Sequence, residues 1–184
     1  MSKDEPATQA SEKKTREQRF VESVIERCRS DKGLAARLRR ADNPSTEYQS
    51  WEFLGNYGID LEKDYERVPF ATVASAIAKS KAEKNGSLTL GKALSKCYDD
   101  GSNSNQAKAK MRRLLACRDL MEVARVLRPL LALIDSKLSQ PLDFVRLLRQ
   151  LRFFEIESGQ KTKTQWAQEF YSPSTNSKTD KDAK

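Results

Sequence analysis

Met111-Arg112-Arg113-Leu114-Leu115-Ala116-Cys117-Arg118-Asp119-Leu120-Met121-Glu122-Val123-Ala124-Arg125-Val126-Leu127-Arg128-Pro129-Leu130-Leu131 decides the fold of this chain. Apolar residues return every three or four positions, the period of one helix face, and arginines fill the intervals. Asp119-x-x-Glu122 has the form of a capping box, which starts a helix. The spacing predicts helices over Gln106 to Ala116 and Leu120 to Ile134, meeting at Cys117 to Asp119. Val123, Val126, Leu127, Leu130, Leu131 and Ile134 form the inward stripe. Arg118, Arg125 and Arg128 fall on another face, because offsets of seven and three return to one side of a helix. Pro129 lies deep in the run and is expected to kink it.

The charge of the whole chain gathers around this stretch. Lys and Arg number 34 against 26 Asp and Glu, a net charge of +8, and the pI is near 9.4. Residues 105–152 hold eleven basic and four acidic side chains, so almost all the excess sits there. Most of it is arginine, which grips phosphate through a two-pronged guanidinium. Such an excess points to nucleic acid or an anionic surface as partner. A second basic row, Arg146, Arg149 and Arg152, follows at three-residue spacing.

The rest of the chain also reads as helical. Hydrophobic residues are 38% of the sequence and mean hydropathy is −0.75, so polar tails or a partner must account for the shortfall. Seven glycines and six prolines are too few for many short strands. Residues 1–15 and 172–184 read as disordered polar tails. Phe20, Val21, Val24, Ile25 and Cys28 mark a helix from about Arg16, ended by Asp31-Lys32-Gly33. Leu34 to Ala41 reads as a short helix with Arg37, Arg39 and Arg40 crowding its last turn, stopped by Asp42-Asn43-Pro44. Those arginines read equally well as a solvated face. Ser45 to Asn56 reads as a helix whose Trp51 belongs to the core. Ile59 to Arg67 reads as a charged linker, and Pro69 suits the first turn of a buried helix through Ala78. Lys79 to Lys84 gives that helix a basic end. Gly91, in a short helix, is expected to permit close backbone approach. Tyr98 to Asn105 reads as the most flexible internal stretch. It divides the chain into an N-terminal lobe, 16–98, and a basic C-terminal lobe, 106–171, joined by a flexible loop, 99–105. Gln140-Pro141 is expected to open a further helix, and a last one carries Trp166 and Phe170. The fold class is all-α, a two-lobed helical bundle.

Several kinds of chemistry lack their residues. There is no histidine, so the commonest general base and metal ligand is missing. The three cysteines are far apart and read as reduced thiols with no zinc spacing. No carboxylate pair stands out in an apolar run, and the glycines form no phosphate-loop pattern. The expectation is no catalytic residue, no metal and no cofactor. No apolar run approaches a membrane span of about 18 residues. Residues 1–15 lack a signal-peptide core, and the location expected is cytoplasmic.

Four segments in order resemble the CasB-type small subunit of the type I-E CRISPR surveillance complex, Cascade. These are Ala36-Arg37-Leu38-Arg39-Arg40-Ala41 with Asn43-Pro44 and an aromatic helix; Ala74 to Lys84 with Leu90-Gly91-Lys92-Ala93-Leu94; Arg112-Arg113-Leu114-Leu115 through Leu127-Arg128-Pro129-Leu130-Leu131; and Pro141-Leu142-Asp143 with Trp166-Ala167-Gln168-Glu169-Phe170-Tyr171. Together they cover roughly residues 20 to 171. Pro129 departs from the family, which often has a second basic residue there. The resemblance implies a non-enzymatic, two-lobed helical protein. Two copies would lie head to tail among the other Cascade subunits. They would contact the CRISPR RNA–DNA heteroduplex and the displaced single-stranded DNA, stabilising the R-loop. By motif position it implies backbone contacts from Arg40, Lys84, Arg118 and Arg128. Composition and spacing add Arg113, Arg125, Arg149 and Arg152, and Arg39 joins Arg40 in the basic last turn of its helix. Two other readings suit the same charge: a free-standing helical DNA-binding regulator or accessory factor, and an interaction protein whose arginines meet an acidic partner or lipid.

Overall fold

The computed structural model describes residues 13–155 and 159–172. The tails expected at 1–15 and 172–184 lie for the most part outside them. Nine α-helices are found among the described residues: α1 (Arg16–Ser30), α2 (Lys32–Leu38), α3 (Trp51–Asn56), α4 (Asp64–Ser80), α5 (Leu90–Lys96), α6 (Asn105–Leu115), α7 (Leu120–Lys137), α8 (Phe144–Arg152) and α9 (Gln160–Tyr171). No strand accompanies them among those residues, only an isolated parallel bridge between Leu88 and Leu142. The all-α expectation holds.

α4 is the centre of the molecule. All eleven residues from Val68 to Ala78 are buried, and α1, α2, α7 and α8 pack around them. Small side chains at Ala71, Ala74, Ala76 and Ala78 let those neighbours approach, while Phe70, Val73 and Ile77 fill the gaps between them. Burying each such large side chain is worth about 1.5–3 kcal/mol. Phe70 meets Phe20 of α1 edge-on at 4.7 Å.

α4 starts earlier than its sequence predicts. Pro69 is the sixth residue of the helix, not part of its first turn. The charged segment read as a linker is helical from Asp64 because its charges have partners. Arg67 reaches Glu47 at 2.6 Å, Asp64 at 2.5 Å and the Leu61 carbonyl. Glu66 takes the Arg16 guanidinium of α1. Lys32 and Gly33 likewise belong to the first turn of α2. Asp31 caps that helix, its carboxylate accepting the Leu34 amide at 2.9 Å.

α7 runs unbroken through Pro129 to Lys137. Its Asp119 cap is present, accepting the Glu122 amide at 2.8 Å, while Glu122 reaches one residue beyond the capping-box position to accept the Arg118 amide at 2.8 Å. The expected inward residues are buried, except that Val126 is half-buried.

Gln140-Pro141 does not open a helix. α8 begins at Phe144, capped by Asp143, because the preceding residues pair with another segment. The Gly86 amide donates to the Leu142 carbonyl and the Asp143 amide to the Leu88 carbonyl, each at 2.9 Å. The Asn85 carboxamide oxygen accepts the Phe144 and Val145 amides at 2.8 and 3.2 Å. A Cβ on Gly86 would lie 1.8 Å from the Pro141 carbonyl oxygen, so this contact requires glycine.

Beside this centre, α5 packs chiefly against α9. Gly91 permits the contact: a Cβ there would stand 2.3 Å from the Trp166 carbonyl oxygen. Trp166 is fully buried and donates its indole N–H to Gln150 at 2.9 Å. One contiguous cluster of buried side chains extends from Phe20 to Phe170.

Candidate nucleic-acid interface

The loop between α2 and α3 assembles the largest group of predicted cations. Arg39 donates to the Ala78 carbonyl of α4 at 3.1 Å, and Arg40 donates to Gln49 at 3.1 Å. Between Arg40 and Gln49, Asp42 turns towards α7. Arg128 donates to its main-chain carbonyl through Nε at 3.0 Å and Nη2 at 2.5 Å. Lys79 reaches the Asp42 carboxylate at 2.5 Å. Asp42 thus draws one cation of α4 and one of α7 to the loop that also carries Arg39 and Arg40.

Beside that face lies a groove of about 460 Å³ between the end of α4, α7 and the start of α8. Lys79, Lys81, Lys84 and Arg128 line it, with Leu131, Ile134, Leu142 and Phe144 among the apolar residues and Glu83 and Asp135 as acids. Across Arg128 a second cavity, about 290 Å³, includes Pro44, Glu47, Met121 and Arg125. The fold therefore places Lys84 and Arg128 in one groove and Arg125 and Arg128 in the adjoining cavity, with Arg39 and Arg40 on the loop that leads to Asp42, which lines both. Lys79 and Lys81 line the groove too and were not singled out from the sequence. Their only sequence signal is position, at the same helix end as Lys84.

Arg113, in the last turn of α6, and Arg118, at the junction with α7, are exposed. Among the described residues Lys84, Arg113, Arg118, Arg125 and Arg149 have no side-chain hydrogen bond or ion pair, so their charges remain available. The thiol of Cys117 at the α6–α7 junction is buried, which pushes its pKa up. Burial raises Cys28 and Cys97 as well, which fits unreactive thiols.

The basic row on α8 divides three ways. Arg146 bonds to Glu169 of α9 at 2.6 Å. Arg152 is held by Glu17 of α1 and lies 5.4 Å from the centre of the Phe70 ring. Its side chain is only 20% exposed. Burial pushes the Glu17 carboxyl up, but its own backbone amide and the Arg152 guanidinium outweigh that and hold it below the ordinary 4.5. Arg149 alone points its charge away from any partner among the described residues. Arg152 is thus occupied in fastening α8 to α1 and α4, which the three-residue spacing did not disclose.

A family model for CRISPR-associated protein Cse2 matches residues 34–171. The chain belongs to the CRISPR-associated Cse2 family. The match spans the whole cationic constellation from Arg39 to Arg152. Among solved structures, M. ruber CasB is similar over 86% of this chain and 94% of its own, with 26% identity and a TM-score of 0.68. A Cse2-family protein from Thermus thermophilus covers 84% and 97%, at 22% identity and a TM-score of 0.68. CasB from Thermobifida fusca covers 86% and 99%, at 16% identity and a TM-score of 0.66. Comparison with curated protein sequences finds no match. The CasB-type resemblance drawn from the sequence is therefore the family shown. Among the described residues of this Cse2-family chain no His, Cys, Asp or Glu cluster has the makings of a metal site, and no helix is long and apolar enough to cross a membrane.

Proposed function

We propose that the chain is a non-catalytic small subunit of a type I-E Cascade complex, acting in the cytoplasm. It stabilises the R-loop through phosphate contacts to the target and displaced strands. Its partners are the other Cascade subunits and a second copy of itself, packed head to tail. The division into lobes 16–98 and 106–171 belongs to the same reading. One observation carries it: Lys84, Arg125 and Arg128 line the two cavities that adjoin at Asp42, and Arg39 and Arg40 lie on the loop that leads to Asp42. Arg113 and Arg118 extend the available charge along α6 and α7, and Arg149 adds a cation on α8 that is unpaired among the described residues.

Arginine on rigid helices reads phosphate and not base sequence. R-loop formation exchanges one duplex for another of similar stability, so modest backbone contacts tip the balance. Neutralising about four to six phosphates gives a log K that falls with log salt by about 0.7 per phosphate on single strands. The test is strand affinity across a salt series, for several unrelated sequences, with and without the guide complex. Equal slopes for all sequences are expected, and Arg118→Ala weakens every sequence alike. A slope near zero, or a footprint on one duplex sequence without guide RNA, overturns the reading.

A further inference from the structure

The sequence places Trp51 in the core, but its structure leaves it 43% exposed, with Tyr48 one turn earlier 58% exposed. Among the described residues neither ring has an aromatic partner or a cation over it. The two rings bracket Gln49, whose carboxamide oxygen accepts Arg40 at 3.1 Å. Arg37, 46% exposed, stands across the same corner, paired with Glu52 only at 3.8 Å. Glu47, the other nearby acid, is taken by Arg67. The loop that carries these rings is the one whose Asp42 carbonyl holds Arg128. An open indole and phenol, flanked by two guanidinium groups and continuous with a cationic face, is what a base-stacking platform for single strands requires.

We infer that Tyr48 and Trp51 stack unpaired bases of a single nucleic-acid strand whose phosphates lie on Arg37 and Arg40. The inference rests on the nucleic-acid reading above and adds contact with the bases themselves. Stacking tolerates any sequence because every base has a π-face, so the platform grips a strand without reading it. A duplex hides those faces, so the platform also selects single strands.

Tryptophan fluorescence tests this directly. The chain has two tryptophans, and Trp166 is fully buried, so quenching by an added strand reports Trp51. The full chain is titrated at low salt with oligothymidylate and with an abasic strand of equal length, and affinity is followed by anisotropy of the labelled strand. Oligothymidylate is expected to quench the emission. It should also bind at least about fivefold more tightly than the abasic strand, the lower end of one stacked base. Trp51→Ala should reduce that preference, and Tyr48→Ala with Trp51→Ala should erase it, with the salt slope unchanged. Trp51→Phe should abolish the quench but keep most of the preference. Thermal melting checks that both variants fold. If the two strands bind alike with the expected salt slope, the platform is overturned and the phosphate reading stands. If neither strand binds, both fall. If emission changes only when protein subunits are added, and Trp51→Ala impairs assembly alone, the surface is a protein-docking site and the inference fails.

Discussion

Arg128 donates two hydrogen bonds to the main-chain carbonyl of Asp42, 86 residues away. The Asp42 carboxylate meanwhile takes Lys79. The hydrogen-bond acceptor for Arg128 is backbone, so both bonds survive any side-chain change at Asp42, and only a long ion pair to the carboxylate at 3.9 Å is lost. Asp42→Ala therefore removes the acid from the basic face without dismantling it. The expected result is several-fold tighter strand binding at low salt. The stability cost should be about 1 kcal/mol or less, because Lys79 is partly solvated. Anisotropy titration and thermal melting measure both. Weaker binding would show that Asp42 positions the cations more than it neutralises them.

The two-pronged bond separates stability from affinity at Arg128. Arg128→Ala removes both hydrogen bonds from a half-exposed site, costing about 1–2 kcal/mol, and also weakens strand binding. Arg128→Lys restores the charge but not the fork. Strand affinity should recover further than stability does. Denaturant unfolding alongside strand binding resolves the two; equal recovery of both would contradict the geometry.

Two largely buried carboxylates fix the acid limit. Glu17 and Glu66 are each pushed up by burial, yet the net shift of each is below the ordinary 4.5. For Glu17 the opposing groups are its own amide and Arg152, and for Glu66 Arg16 and the Asp60 amide. Lowered folded-state values mean that these carboxylates contribute stability above pH 4.5, and that it is lost as pH falls through the folded values. Unfolding free energy measured from about pH 6 to about pH 3 should drop below pH 4.5. Glu17→Gln should flatten that drop while lowering stability near neutral pH. An unchanged acid slope in the variant would remove Glu17 as a cause.

Gly91 is the least tolerant position on α5. A Cβ there meets the Trp166 carbonyl oxygen at 2.3 Å, Glu169 Cβ at 2.7 Å and the Phe170 amide nitrogen at 2.8 Å. Two of these atoms are backbone and have nowhere to rotate. Gly91→Ala should cost about 3 kcal/mol and lower Tm by about 6–12 °C, although alanine is the better helix former. A stabilised variant in a thermal melt would mean that α5 and α9 are not in backbone contact.

What was legible in the sequence is what local physics decides. The apolar period placed α6, α7 and α9, and Asp119-x-x-Glu122 marked the start of α7. The close approach at Gly91 followed from a glycine inside a helical run. What was not legible depends on residues far along the chain. Charged residues before Pro69 read as linker because Glu47 and Arg16, which pair with Arg67 and Glu66, lie 20 and 50 residues away. Trp51 reads as core if Ser45 to Asn56 is one α-helix. The segment is instead a 3-10 turn over Glu47–Ser50 followed by a short α-helix that buries Phe53 and Leu54, and Phe53 lies on nearly the opposite side of that helix from Trp51. Counting charge located the basic quarter of the chain but not which guanidinium groups are free, because Asp42, Glu17 and Glu169 come to them only through tertiary packing.

Arg149 and Arg152 carry this last point to an experiment. Three residues apart on α8, they look interchangeable in sequence. Arg149 is exposed and unpaired among the described residues. Arg152 is ion-paired to Glu17 and lies near the Phe70 and Phe153 rings. Arg149→Ala should leave Tm within about 1 °C, because surface changes of this kind stay within about 0.5 kcal/mol. It should reduce the single-strand salt slope by about 0.7, one phosphate. Arg152→Ala should do the reverse. It strands a buried carboxylate, a loss of about 3–5 kcal/mol, tempered here by protonation of Glu17 once its partner is gone. The salt slope of the folded fraction should not move. Melting curves and salt-dependent anisotropy on the same two variants separate these roles. A reduced slope in folded Arg152→Ala would place that arginine on phosphate after all, and would require Glu17 to release it on binding.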